Sequence, residues 1–332
     1  MRVVVTGASG NVGTSLLRAL AAADDVDEIV GLARRLPSRD FHETEWRAAD
    51  IEHDDLLPLF RGVDCVVHLA WAIQPSHDLA ALRRTNVDGS ERVFRAVAEA
   101  GVPALVYASS VGAYSPGPKD RAVDESWPTD GTPTSFYARH KAEVERLLDH
   151  FQAERPTTRV VRLRPGLIFK RSSGEEQRRY FLGPLFPRAL ARGAQAVVPD
   201  IDGLRFQAVH TRDVAEAYRL AVVGDARGPF NVAAEPVLDA PTLAQALGAR
   251  VLPLPSGVAR RALAASWQLR LQPTPPGWLD MGLSVPIMDT TRAREELGWQ
   301  PQRSSLDAIR EVLSGIADGE GEPTPPLETA RG

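Results

Sequence analysis

The stretch Arg2-Val3-Val4-Val5-Thr6-Gly7-Ala8-Ser9-Gly10-Asn11-Val12-Gly13 runs from three consecutive valines into glycines spaced three apart. The valines favour a short buried strand. Beyond the glycines, apolar Val12, Leu16, Leu17 and Leu20 recur at helical spacing and predict a helix over 11–23. A strand that enters a helix through glycines brings bare backbone, free N–H groups and a positive dipole end to one point. Gly7, Ser9, Gly10, Asn11, Val12 and Gly13 therefore form a candidate cradle for the pyrophosphate of a dinucleotide.

The same alternation continues outward. Strands are predicted at 28–33, 46–49, 65–69, 104–109 and 158–164, separated by helices at 54–60, 79–100 and 135–155. That order implies an α/β fold with a doubly wound parallel sheet. Past Pro165 the rhythm breaks: 166–204 has no clean period, and 272–286 is rich in Pro and Gly. Later elements are a helix at 211–223, a strand at 230–233, and helices at 255–268, 291–297 and 305–317. The expected division is a dinucleotide-binding domain over 1–165, completed by about 205–235. A smaller, mainly C-terminal substrate-binding part would come from 166–204 and 236–317. The Gly/Pro-rich tail 318–332 is expected to be disordered.

Composition narrows the function. The chain has 332 residues, 43% apolar and 25% charged, with a net charge of −4. Neither nucleic acid nor an anionic membrane is indicated as a partner, and a small-molecule substrate is expected. One cysteine, Cys65, excludes an intrachain disulfide and lies in an apolar run that suits a buried thiol. The seven histidines show no ligand-like clustering with carboxylates, so no metal is expected. No segment has the length of a membrane span, and the N-terminal run is too short for a signal peptide, so a cytoplasmic protein is expected.

Within Ser135-Phe136-Tyr137-Ala138-Arg139-His140-Lys141, Tyr137 and Lys141 stand four apart. With five tyrosines and three lysines in the chain, chance yields only ~0.05 such pairs. On a helix the two side chains share a face, and the ammonium is expected to depress the phenol pKa, making a proton-transfer device for a carbonyl or secondary alcohol. At the end of the second strand, Ala33 replaces the carboxylate that would accept a ribose 2′-hydroxyl, and Arg34 and Arg35 follow. This favours NADP(H), with NAD(H) as the alternative if both arginines are surface residues. Asp50 and Ile51 would flank the adenine.

The chain resembles an extended short-chain dehydrogenase/reductase, of the NAD(P)-dependent epimerase/dehydratase kind. The resemblance covers most of 1–310 and rests on Thr6–Gly13, His68-Leu69-Ala70-Trp71, Asn86-Val87-Asp88-Gly89, Ser109–Tyr114, Tyr137–Lys141, Arg164-Pro165-Gly166, His210–Asp213 and Asp289–Trp299. It implies a Rossmann-type fold, with Leu69, Ala70, Trp71 and Pro165 beside the cofactor. It also implies Tyr137 as general acid/base, Lys141 as its partner and holder of the nicotinamide ribose, and Ser110 against the substrate oxygen, with Ser109 as fallback. Asn86 would complete a proton relay or make a helix-packing contact. His68, His210 and Asp213 would be structural. A homodimer through the 79–100 and 135–155 helices is a further expectation.

The resemblance leaves the substrate open. Val111-Gly112 stands where dehydratases carry an acidic pair, so dehydration is not expected. Phe206 stands where sugar-nucleotide epimerases carry a diphosphate-gripping arginine, and Arg205 is one residue off. Lys170, Arg171, Arg178, Arg179, Arg188 and Arg192 would suit an anionic substrate, whereas Phe169, Tyr180, Phe181, Phe186 and Phe206 would wall a pocket for an apolar ketone. Three readings stand: NAD(P)(H)-dependent hydride transfer at a ketone or secondary alcohol, nucleotide-sugar epimerisation with retained NAD, and a non-catalytic dinucleotide-sensing regulator.

Overall fold

The computed structural model describes residues 1–328 apart from 39, 40, 42, 75, 184–187, 189, 190 and 192–196. Its centre is a parallel sheet of seven strands: β1 (Arg2–Thr6), β2 (Glu28–Ala33), β3 (Thr44–Ala48), β4 (Cys65–His68), β5 (Ala104–Ala108), β6 (Arg159–Pro165) and β7 (Gly228–Val232). Their order is β7-β6-β5-β4-β1-β2-β3, every pair parallel. This is the Rossmann arrangement, with the chain reversing direction across the sheet at β1. The strand period of two sorts the side chains between two cores. Val3 and Val5 of β1 and Val161 and Leu163 of β6 face helices α1 (Asn11–Ala21) and α4 (Thr211–Val223). Val4 and Val160 face α2 (Gly89–Ala100) and α3 (Phe136–Glu154).

Two expected helices are altered. That at 79–100 is broken by a π-helical turn, Arg84–Asp88, between Leu79–Arg83 and α2. The Ser90 hydroxyl donates back to the Asn86 carbonyl at 2.6 Å, a contact of the kind that bends helices. That at 54–60 shrinks to Leu57–Phe60, because Asp54 and Asp55 accept backbone N–H bonds in a turn instead.

Beyond the sheet, three small parallel pairs have no counterpart in the sequence reading: Leu167–Phe169 with Ala208–His210, Val197–Ile201 with Arg250–Leu254, and Ala122–Val123 with Ile287–Met288. Helix α5 (Gly277–Ser284) occupies the Pro/Gly-rich segment, and α6 (Ser305–Asp318) follows with a Ser304–Asp307 capping box. The tail expected to be disordered is instead packed as far as residue 328. Glu322 is 8% exposed, and Thr324 and Leu327 are fully buried. Glu322 accepts bonds from Lys170 Nζ at 3.0 Å and the Ser172 hydroxyl at 2.6 Å, and pairs with Arg18. Charged anchors on distant residues and one buried leucine fix the strap, which is why its composition concealed it. Residues 329–332 lie outside the described part.

Candidate active site

The carboxyl ends of the strands meet at a cavity of about 920 Å³. Every residue expected to bind the dinucleotide, from Gly7 through Arg34, Arg35, Asp50, Ile51, Leu69, Ala70 and Trp71 to Pro165, lines it. The three glycines have separate work. Gly7, at φ +70°, lies so close to β4's exit that a Cβ would sit 2.6 Å from the Ala70 nitrogen, and one at Gly13 would sit 2.4 Å from the Ala8 carbonyl. Gly10 begins α1 with no side-chain cap, and the first intrahelical bond there is Thr14 N–H to Gly10 O. The N–H groups of Asn11, Val12 and Gly13 precede it and suit a diphosphate. Asn11's side chain itself bridges Ile168 and Thr211.

Tyr137 and Lys141 fall on the first turns of α3, whose N-terminus is capped by Ser135. The Tyr137 phenol approaches Ser110, whose hydroxyl accepts the Gly112 N–H at 3.0 Å. Gly112 permits this approach, since a Cβ there would lie 2.9 Å from the Tyr137 ring. Ser109 points the other way and donates to Glu145 at 2.5 Å. Lys141 Nζ donates to the Ala108 carbonyl at 2.6 Å and lies over the Trp71 ring. The expected depression of the phenol pKa is not present in this state. Burial pushes Tyr137 up to about 12, against the opposing hydrogen bond of Ser110. Burial also pushes the Lys141 amine well below its usual range, against the pull of Glu145.

Asn86 makes a packing contact of the expected kind with the backbone. Its carboxamide accepts the Ala72 N–H at 2.7 Å and donates to the Ala72 carbonyl at 3.0 Å, and it does not line the cavity. It thereby pins the chain just past Trp71. His68 is satisfied on both sides, by the Thr6 hydroxyl at 2.7 Å and the Ser90 hydroxyl at 2.9 Å. His210 pairs with Glu311, and Asp213 accepts the Arg303 N–H, so both are structural contacts.

Behind Ser109 lies a group that the sequence reading missed. Glu145, fully buried one turn after Lys141, meets Arg164 at 2.9 Å and Arg162 at 2.8 Å, both also buried. Burial alone would raise the carboxyl, but the charge and hydrogen bond of Arg164, then Arg162, hold it at about 2. The signal was available: Arg162 and Arg164, at alternate positions of a strand whose other residues past Arg159 are apolar, face one side and require an acid.

The expected cationic cluster is internally paired. Lys170 bonds Thr14 and Glu322, Arg171 meets Asp318 and Glu320, and Arg178 and Arg188 both meet Glu175. Arg179 donates to the Pro326 carbonyl. Arg192 and Phe186 lie outside the described residues. Phe169, Tyr180, Phe181 and Phe206 all line the cavity, and Pro325 and Pro326 of the tail complete its rim.

His68 gives a pH test of this packing. Burial, reinforced by the Lys141 charge, lowers its pKa to about 3, so the folded imidazole stays neutral while the unfolded one takes a proton below its ordinary value of 6.5. The resulting stability is complete above that value and falls on acidification, by about 1.4 kcal/mol per pH unit for one proton. Urea midpoints measured from pH 7 to 5 are expected to fall for the wild type and to fall less steeply for His68→Asn. Equal slopes would show that His68 is not the group being protonated.

Residues 3–233 match the NAD dependent epimerase/dehydratase family. The uncharacterized protein Rv0501 of Mycobacterium tuberculosis is 28% identical over 94% of this chain and 83% of its own length. Among solved structures, the UDP-glucose 4-epimerase of Thermus thermophilus, in complex with NAD, superposes with a TM-score of 0.70 at 21% identity. That match covers 95% of this chain and 99% of the other. MoeE5, in complex with UDP-glucuronic acid and NAD, gives the same TM-score and identity over 96% and 99%. Among the described residues no helix is long and apolar enough to cross a membrane.

Proposed function

The chain belongs to the NAD dependent epimerase/dehydratase family, and from that premise we propose that it is an NADP(H)-dependent oxidoreductase acting on a ketone or secondary alcohol of a small molecule. The observation that carries this reading is that Ser110, Tyr137 and Lys141 line the same cavity as the glycine cradle. The substrate is held between the sheet and a wall that includes Phe169, Tyr180, Phe181 and Trp278.

When bound, the cofactor supplies the hydride that forms the new C–H bond at the carbonyl carbon. Ser110 donates a hydrogen bond to the carbonyl oxygen and steadies the negative charge that grows there. Tyr137 gives that oxygen its proton, and a phenol held at about 12 is fully protonated at neutral pH for the purpose. Lys141, released from Ala108 or shared with it, binds the nicotinamide ribose and stabilises the phenolate. In the oxidation direction Tyr137 takes the proton back.

Arg34 and Arg35, exposed at the end of β2 and lining the cavity, support the choice of NADP(H). Arg34→Ala is expected to weaken NADPH binding by about 1.5–3 kcal/mol and NADH binding far less. Equal losses in a fluorescence titration would place the 2′-phosphate elsewhere. The activity itself is tested by following NADPH absorbance with a ketone panel. Stoichiometric consumption is expected, whereas tightly held NAD⁺ in the purified protein with no net consumption would favour epimerisation.

A further inference from the structure

The substrate end of the cavity is aromatic around Tyr137. Trp278 lies 4.9 Å from the Tyr137 ring at 33°, Phe181 stands edge-on to Trp278 at 5.2 Å, and Trp71 covers the other side at 5.9 Å. Trp278 is rigidly placed. Gly277 of α5 packs directly on the entrance to α3, where a Cβ would lie 2.4 Å from the Thr134 carbonyl.

Phe206 belongs to the same wall and cannot exchange places with Arg205. Its N–H and carbonyl both bond Leu238, at 3.0 and 2.7 Å, which fixes the register. Arg205 is held away by reciprocal bonds: its guanidinium donates to the Lys119 carbonyl, and Lys119 Nζ donates to the Arg205 and Gly282 carbonyls. Among the described residues lining the cavity, the cations are Arg34 and Arg35 at the β2 end and Lys141 beside Tyr137. A nucleotide diphosphate placed at the substrate end would lose its hydration against aromatic faces, with no guanidinium among the described lining residues there to replace it.

We propose that the substrate end takes a flat, uncharged aryl or alicyclic ketone, or the corresponding secondary alcohol, seated on Trp278. This rests on the reading of Tyr137 as proton donor, and the bond changes are those given above. The test uses the full chain loaded with NADP⁺, or with NAD⁺ if that binds more tightly. The loaded protein is titrated calorimetrically with 2-acetylnaphthalene and, separately, with UDP-glucose. Saturable binding of the ketone is expected, with no saturable heat from UDP-glucose over the same range. Trp278→Ala should weaken the ketone by about tenfold or more, and Trp278→Phe should restore most of the loss. Retained cofactor binding in each variant shows that it has folded. Saturable UDP-glucose binding to the loaded wild type, or failure of the ketone to bind, overturns the proposal and leaves the cofactor site standing. A chain that takes up neither cofactor fails the underlying reading before any substrate is added.

Discussion

Tyr137→Phe is expected to lower turnover by about 10²–10⁴-fold, the usual contribution of a positioned proton donor, while leaving cofactor affinity essentially unchanged. The substitution removes one oxygen. The ring stays wedged between Trp71 and Trp278 and against Gly112, so the cavity keeps its shape. What disappears is the phenolic proton beside Ser110. Steady-state rates with NADPH and a ketone, paired with a binding titration, separate the two effects. Turnover near the wild-type value would remove Tyr137 from its role.

Glu145→Ala should be the most destabilising single change at the site. It leaves the Arg164 guanidinium buried without a carboxylate and Arg162 with Asp149 alone, a loss of about 3–5 kcal/mol. For a chain of this size that corresponds to roughly 4–7 °C in melting temperature. Ser109 would also lose its acceptor, loosening the segment that carries Ser110. Replacing all three charged residues by apolar ones of similar volume should recover much of the stability, because no uncompensated charge then remains. A melting temperature within a degree or two of wild type for Glu145→Ala would mean that water reaches the arginines.

The dinucleotide half was legible because its signals are local. Valine runs, glycines three apart and a helical apolar stripe each declare themselves within a dozen residues, and Tyr137 and Lys141 are coupled by helix geometry alone. What escaped depends on distant partners. Glu145 gains meaning only from Arg162 and Arg164 on another element, and Asn86 only from the Ala72 backbone it clamps. Glu322 anchors the tail through Lys170, 152 positions earlier in the chain. The small strand pairs at 197–201 and 250–254 are partly exposed and lack alternation, so no period betrays them. The raised phenol pKa was not legible for a related reason: burial is a property of the fold, and here it outweighs the opposing effect of Ser110.

The most direct test is a spectrophotometric titration of the Tyr137 phenol, taken as the difference between wild type and Tyr137→Phe, with and without oxidised cofactor. Without cofactor the phenol should titrate at about 12. With the positive nicotinamide bound beside it, the pKa should fall by ~1 unit or more. A phenol that titrates identically in both states would contradict the placement of the nicotinamide at Tyr137, and with it the proposed chemistry.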